Sequence, residues 1–203
     1  MKVEMAIRRL FPTLLYDAEI GDDALLAELA HSIRSLARDD KAGVAWSRDK
    51  NYCGYTSYAS LNDLAKRDPA FADLAKPLVR HAAKFAEAAA LDLPRKPRLD
   101  SLWVNLLKSG GHHSGHIHPH AVISGTFYVE VPPASGAIRF EDPRLPLMMA
   151  APKRDEAAGE AMQPFVTVEP RPGLLLLWES WLRHEVLAGN GRGERLSISF
   201  NFA

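Results

Sequence analysis

The chain has 203 residues, close to the length of one domain and enough to bury a sizeable core. Lys plus Arg and Asp plus Glu each number 25, so the formal net charge is zero, which argues against a nucleic-acid binder or a polybasic membrane-surface protein. The longest apolar run, Gly173 to Trp178, falls far short of the roughly 20 residues that span a bilayer, and the single Cys53 excludes an internal disulfide or a multi-cysteine metal site.

The first residues, Met1 to Arg9, lack the charged-then-apolar pattern of a secretory signal, so a cytoplasmic protein is expected. Residues 10–17 read as a short extended segment. A helix then starts at Asp22 or Asp23, either of which can cap a first turn. Leu25, Leu26, Leu29, Ile33 and Leu36 give it one apolar stripe, and Arg34 and Arg38 suit the negative end of its dipole. Residues 40–59 read as irregular, with Asn51, Gly54 and Ser57 in a surface loop rather than a turn beside a pocket. Ser60 with Asp63 resembles a capping box for a short helix. Asp68-Pro69 starts another, which runs to Leu93-Pro94. His31 and His81 lie on these two helices with no second ligand one turn away, and are read as surface or packing residues.

After Pro97 the texture changes. Leu102 to Leu107, Ile123 to Val131, Gly136 to Phe140, Phe165 to Val168, Leu174 to Trp178, Glu185 to Leu187 and Leu196 to Phe202 are short apolar or alternating runs, each bounded by Pro, Gly or Asn. Such a series predicts an antiparallel sandwich or barrel. The expected organisation is one domain over 1–203, with a mostly helical front (1–98) and a strand-rich back (99–203). Pro146 to Pro164 interrupts the strands at a length that suggests a lid or an excursion.

Five of the eight histidines fall between His112 and His120. If this stretch enters a strand, His116 and His118 point the same way and can hold a metal together, with His184 as the candidate third ligand. His118 with His120 is an alternative pairing in the same register, and a histidine-rich solvated turn is the alternative to metal binding, which the spacing favours. His112 and His113 are read as loop residues. Arg195 and Ser197 share a strand face, where a guanidinium and a hydroxyl suit a carboxylate. A cupin motif fails, because positions 122 and 123 are Val and Ile where a glutamate is required.

The order Trp103-Val-Asn105, His116-Ile-His-Pro119, Ile123-Ser-Gly-Thr-Phe-Tyr128, Gly136 to Pro143, Pro172 to Trp178, His184 and Arg195-Leu-Ser-Ile-Ser-Phe-Asn201 resembles the 2-oxoglutarate- and Fe(II)-dependent oxygenases, in particular a bacterial and phage group of them. The resemblance implies a mainly β fold with N-terminal helices, a double-stranded β-helix (jelly roll) flanked by helices. It implies Fe(II) at His116, His118 and His184, and 2-oxoglutarate held at its far carboxylate by Arg195 and Ser197. Asn105 and Tyr128 are weaker candidates for the co-substrate pocket. The implied reaction hydroxylates a C–H bond of a small-molecule or peptide substrate and yields succinate and carbon dioxide. One departure is plain: His118 stands where most of the superfamily has a carboxylate. Glu141, Asp142, Glu179 or Glu185 are candidates to supply one. Three histidines also form the ligand set of a zinc hydrolase, and a metal-stabilised binding module without turnover is a further alternative. The pocket is expected to be shaped by residues 51–57 and 146–164.

Overall fold

The computed structural model describes residues 6–203; Met1 to Met5, the start of the segment read above for a secretory signal, lie outside them. The chain runs β1 (Leu15–Glu19), α1 (Asp23–Asp39), α2 (Lys41–Asp49), β2 (Gly54–Thr56), α3 (Pro69–Ala88), β3 (Leu99–Leu107), β4 (His113–His116), β5 (Ile123–Glu130), β6 (Ile138–Glu141), β7 (Phe165–Val168), β8 (Leu174–Glu179), β9 (His184–Val186) and β10 (Arg195–Phe202). A six-stranded sheet has the order β1-β8-β5-β10-β3-β2 and a four-stranded sheet the order β4-β9-β6-β7. From β3 to β10 the chain alternates between the two sheets, apart from the β6–β7 hairpin, and every pairing of named strands is antiparallel. This is the expected jelly roll. The front part is less purely helical than its composition suggests, because β1 and β2 add strands to the two edges of the larger sheet.

Period-two alternation in β10 sets the whole arrangement. Leu196, Ile198, Phe200 and Phe202 are buried against the helices with Leu29 and Ile33 of α1 and Phe71, Leu74, Leu78 and Phe85 of α3. Arg195, Ser197, Ser199 and Asn201 necessarily point the other way, into the space between the sheets. A second core of Tyr128, Ile138, Phe140, Leu176, Trp178 and Leu182 packs within that space. No described helix is long and apolar enough to cross a membrane.

The helix starts follow the sequence. Asp22 accepts from the backbone N–H of Leu25 at 2.9 Å, and Asp68 from that of Ala70 at 2.8 Å. Four readings differ. The segment 40–59 contains α2 and β2, and Asp40 caps α2 through the N–H of Gly43 at 3.0 Å. Ser60 does not build a capping box with Asp63, because its hydroxyl donates to Asp40 instead; only a 3-10 turn, Leu64–Lys66, follows. Helix α3 stops at Ala88, five residues before the expected end, and Ala90 turns the chain with a positive φ of 52°. Strand β4 begins at His113, so that residue belongs to a strand rather than a loop.

Candidate metal centre

Strands β4 and β9 pair with His116 opposite His184, which brings these two rings to 4.4 Å between centroids. His118 lies two residues past the paired end of β4, where its backbone N–H donates to Ser180 at 3.0 Å. That bond returns its ring to the group, 5.2 Å from His116 and 5.1 Å from His184. The three residues offer ligand nitrogens within 4.8 Å of one another, and they form the one such cluster among the described residues. His120 is exposed, sits at φ 74° and takes no part, so the alternative pairing with His118 fails.

Hydrogen bonding fixes which nitrogen faces inward. Nδ1 of His116 lies 2.7 Å from the Ser114 carbonyl, Nδ1 of His184 lies 2.9 Å from the Leu182 carbonyl, and Nδ1 of His118 lies 2.7 Å from Oδ1 of Asn201. All three partners only accept, so each Nδ1 carries the proton and each Nε2 keeps a free lone pair. Such second contacts are what orient metal-binding imidazoles. Burial pushes the pKa of His184 down to about 3 and lowers that of His118, against a smaller opposing effect of Asn201, so both are neutral and ready to ligate at pH 7.

The four carboxylates considered for the cluster are engaged elsewhere. Glu141 meets Arg183 at 3.2 Å, Asp142 meets Arg144 at 2.8 Å, Glu179 accepts from the Trp181 indole at 3.0 Å and Glu185 meets Arg139 at 2.5 Å. The candidate ligand set is therefore three imidazoles, with no carboxylate among the described residues joining it.

A cleft of about 530 Å³ opens over the cluster between the two sheets, a volume typical of ligand sites. Arg195 lies at its other end, 5% exposed, with Cζ 5.4 Å from the Tyr128 ring centroid. One guanidinium nitrogen donates to the Gly136 carbonyl at 2.7 Å, which holds the side chain in place. Among the described residues, three buried side-chain polar atoms have no partner: Nε of Arg195, the hydroxyl of Tyr128 and Nε1 of Trp178. All three residues line this cleft. Leaving such atoms unpaired costs about 1–3 kcal/mol each, which a polar ligand in the cleft would recover. Burial pushes the Tyr128 phenol up to about 12, so it is a donor at neutral pH. The residues therefore fit a metal ion at the histidines and an anionic ligand at Arg195.

Ser197 is buried on the same strand face, between Asn105 and Tyr128 in the register, but does not line the cleft. Asn105 and Tyr128 do line it. Tyr52 and Thr56, from the segment expected to shape the pocket, also face the cleft, as do His113 and Asn201, which sequence reasoning missed. Tyr52 and His113 share a 2.7 Å hydrogen bond, and Thr56 donates to Asn105 at 2.9 Å. Burial pushes His113 down to about 3, with the Arg195 charge adding to the effect, and raises the Tyr52 phenol. The signal for Asn201 was present: it continues the period-two face of Arg195. The excursion 146–164 contributes nothing to the cleft wall, contrary to expectation, whereas the segment around residues 52–58 does.

Residues 101–201 match the family model described as "Putative 2OG-Fe(II) oxygenase". Comparison with curated proteins gives no match. Solved structures with the same fold include a Pseudomonas putida prolyl-4-hydroxylase, at 17% identity and TM-score 0.63 over 94% of this chain and 92% of that one. The epimerase SnoN, solved with Fe3+, alpha ketoglutarate and nogalamycin RO, matches at 17% identity and TM-score 0.64 over 94% and 79%. HygX from Streptomyces hygroscopicus, solved with nickel and 2-oxoglutarate, matches at 14% identity and TM-score 0.57 over 95% and 82%. The family match runs from within β3 to within β10 and takes in the strands that carry His116, His184 and Arg195, so this part of the chain belongs to the 2-oxoglutarate- and Fe(II)-dependent oxygenases.

Proposed function

We propose that the protein is a dioxygenase that hydroxylates a C–H bond of a small-molecule or peptide substrate at the expense of 2-oxoglutarate, which leaves as succinate and carbon dioxide. The observation that carries the reading is one cleft holding three inward Nε2 atoms at one end and a buried guanidinium with an unpartnered Nε at the other. His116, His118 and His184 would hold Fe(II). Arg195 would bind the far carboxylate of 2-oxoglutarate, with Ser197 beside it on the strand. Bound iron supplies the redox centre at which oxygen and the co-substrate react.

The remaining work falls to the chain. Arg195 is anchored by the Gly136 carbonyl, so it meets an incoming carboxylate without having to be ordered first. The Tyr128 hydroxyl, held protonated, donates to the same anion. Three neutral imidazoles bring no negative charge, so the site is one unit more positive than a set with a carboxylate and attracts a dianion more strongly. Ile138, Val186 and Trp178 give the cleft an apolar wall that excludes water from the reacting groups. The free, exposed Cys53 suits a reducing compartment, which supports placing the protein in the cytoplasm. The zinc-hydrolase reading uses the same imidazoles but gives Arg195 no task.

The test is aerobic turnover. Iron-loaded protein with 2-oxoglutarate should form succinate slowly even without a primary substrate, and zinc-loaded protein should form none. Absence of succinate with iron bound, or equal amounts with either metal, would overturn the proposal.

A further inference from the structure

The cleft is polarised along the β3–β10 ladder. Arg195 pairs with Leu107, Ser197 with Asn105, and Ser199 with Trp103. Four residues of strand, about 13 Å, thus separate the level of the guanidinium from that of Trp103. Trp103 packs on the metal-site ring of His118 at 5.8 Å. Tyr58 then meets Trp103 edge-on at 5.3 Å, and Trp46 meets Tyr58 edge-on at 6.4 Å. Tyr58 is half exposed, so these rings form a continuous aromatic wall from solvent to the metal centre. The wall is held firmly. The Tyr58 N–H donates to the Thr56 hydroxyl at 3.3 Å, and Ser57 bonds the Val104 backbone through both its N–H and its hydroxyl at 3.1 Å.

Charge completes the description. Arg195 is the one Lys, Arg, Asp or Glu among the residues that line the cleft, and it sits at the far end. The aromatic end therefore offers no carboxylate to a cationic substrate and no cation to an anionic one. It offers ring faces, ring edges and the side chain of Ile117. Charged groups entering there would lose hydration without a counter-charge, which is costly, whereas an apolar ring gains both burial and edge-to-face contacts.

We propose that the primary substrate is a small molecule presenting an uncharged ring, seated against Trp103 and Tyr58 with Trp46 at the mouth. This inference rests on the dioxygenase reading of the same cleft. Tyr58 and Trp46 are specificity-determining residues for that substrate, and the co-substrate end is independent of them.

The test uses protein loaded with diamagnetic Zn(II) and 2-oxoglutarate, titrated separately with cyclohexanol, cyclohexylammonium and cyclohexanecarboxylate. These probes share one ring and differ in charge. Binding is read from the indole N–H resonances of Trp46 and Trp103. Cyclohexanol should bind at least about tenfold more tightly than either ion, a difference of about 1.4 kcal/mol. Tyr58→Ala should weaken it by about five- to tenfold, the size of one aromatic contact, with 2-oxoglutarate affinity within about twofold of wild type. Trp46→Leu, at a half-buried surface position, should act in the same direction. Tightest binding of the cation would replace the proposal with an aromatic cage for ammonium groups. Tightest binding of the carboxylate, or cyclohexanol binding unaffected by both variants, would also overturn it. A failure to bind 2-oxoglutarate would instead strike the dioxygenase reading, and the same titration therefore separates the two.

Discussion

The imidazole of His118 donates from Nδ1 to the side-chain oxygen of Asn201 at 2.7 Å, and Asn201 in turn accepts from Ser124 at 2.8 Å. Asn201 sits on β10 and His118 just past β4, so the bond ties a metal-ligand candidate on one sheet to the face of the other. Asn201 is a positioning residue. Asn201→Ala should weaken metal binding by about 10–100-fold, as the loss of such oriented partners does. Asn201→Asp keeps an acceptor and should retain most of the affinity. Calorimetric titration with Ni(II) reads both, and equal loss in the two variants would contradict the positioning role.

Arg195→Ala should separate the two ends of the cleft. The guanidinium lies remote from the histidines along the ladder, so metal affinity should stay within about threefold. 2-Oxoglutarate affinity should fall by about 30–100-fold, the size of a lost charge-assisted pair. Arg195→Lys should recover only part of it, because a point charge cannot reproduce the planar fork. Parallel loss of metal and 2-oxoglutarate affinity would contradict the assignment.

The pH dependence of stability has a definite sign. His184 and His113 have folded pKa values pushed down to about 3 from an ordinary 6.5. Between those values the unfolded chain binds protons that the fold does not, so stability rises with pH in that window. The metal-free protein should be most stable above about pH 7 and lose stability steadily as pH falls to about 5, a range still above the ordinary carboxylate pKa values. Chemical denaturation at stepped pH, with a chelator present, measures it. A flat profile from pH 7 to 5 would show that neither imidazole is held neutral.

Asp40 holds the aromatic wall in place. It caps α2, accepts from Tyr55 at 2.8 Å and accepts from Ser60 at 2.5 Å. Burial alone would raise its pKa, but the hydrogen bonds from Ser60, Gly43 and Tyr55 outweigh burial and hold it below the usual carboxylate range. Asp40→Ala removes a cap and orphans the Tyr55 hydroxyl, so a loss of about 2–3 kcal/mol is expected. Urea denaturation at pH 7 checks it, and a change below about 0.5 kcal/mol, the ordinary surface value, would contradict it.

What could be read from the sequence follows from the range over which each feature is determined. The caps at Asp22 and Asp68 and the alternation of β10 are local, and local chemistry predicts them. The grouping of His116 and His118 with His184 was also readable from the order of motifs along the chain, although β4 ends at His116 and His118 joins the group through its bond to Ser180 rather than through strand periodicity. The helix α2 was hidden: its buried positions include only Gly43 and Ser47, which carry no apolar stripe. Ser60 misled because the atom that claims its hydroxyl belongs to Asp40, twenty residues away. The bond of His118 to Asn201 spans 83 residues, and the orphaned atoms of Arg195 and Tyr128 exist only once two sheets are closed over them. Such features belong to the fold rather than to any segment of it.

The central claim is that three imidazoles and Arg195 form one site for Fe(II) and 2-oxoglutarate. It is tested most directly by anaerobic titration of ferrous iron and then 2-oxoglutarate into metal-free protein, following the visible charge-transfer absorption of the chelated co-substrate. The account predicts a saturable band in the wild type and one shifted to much higher 2-oxoglutarate concentration in Arg195→Ala. Iron demonstrably bound with no band at any 2-oxoglutarate concentration would contradict it.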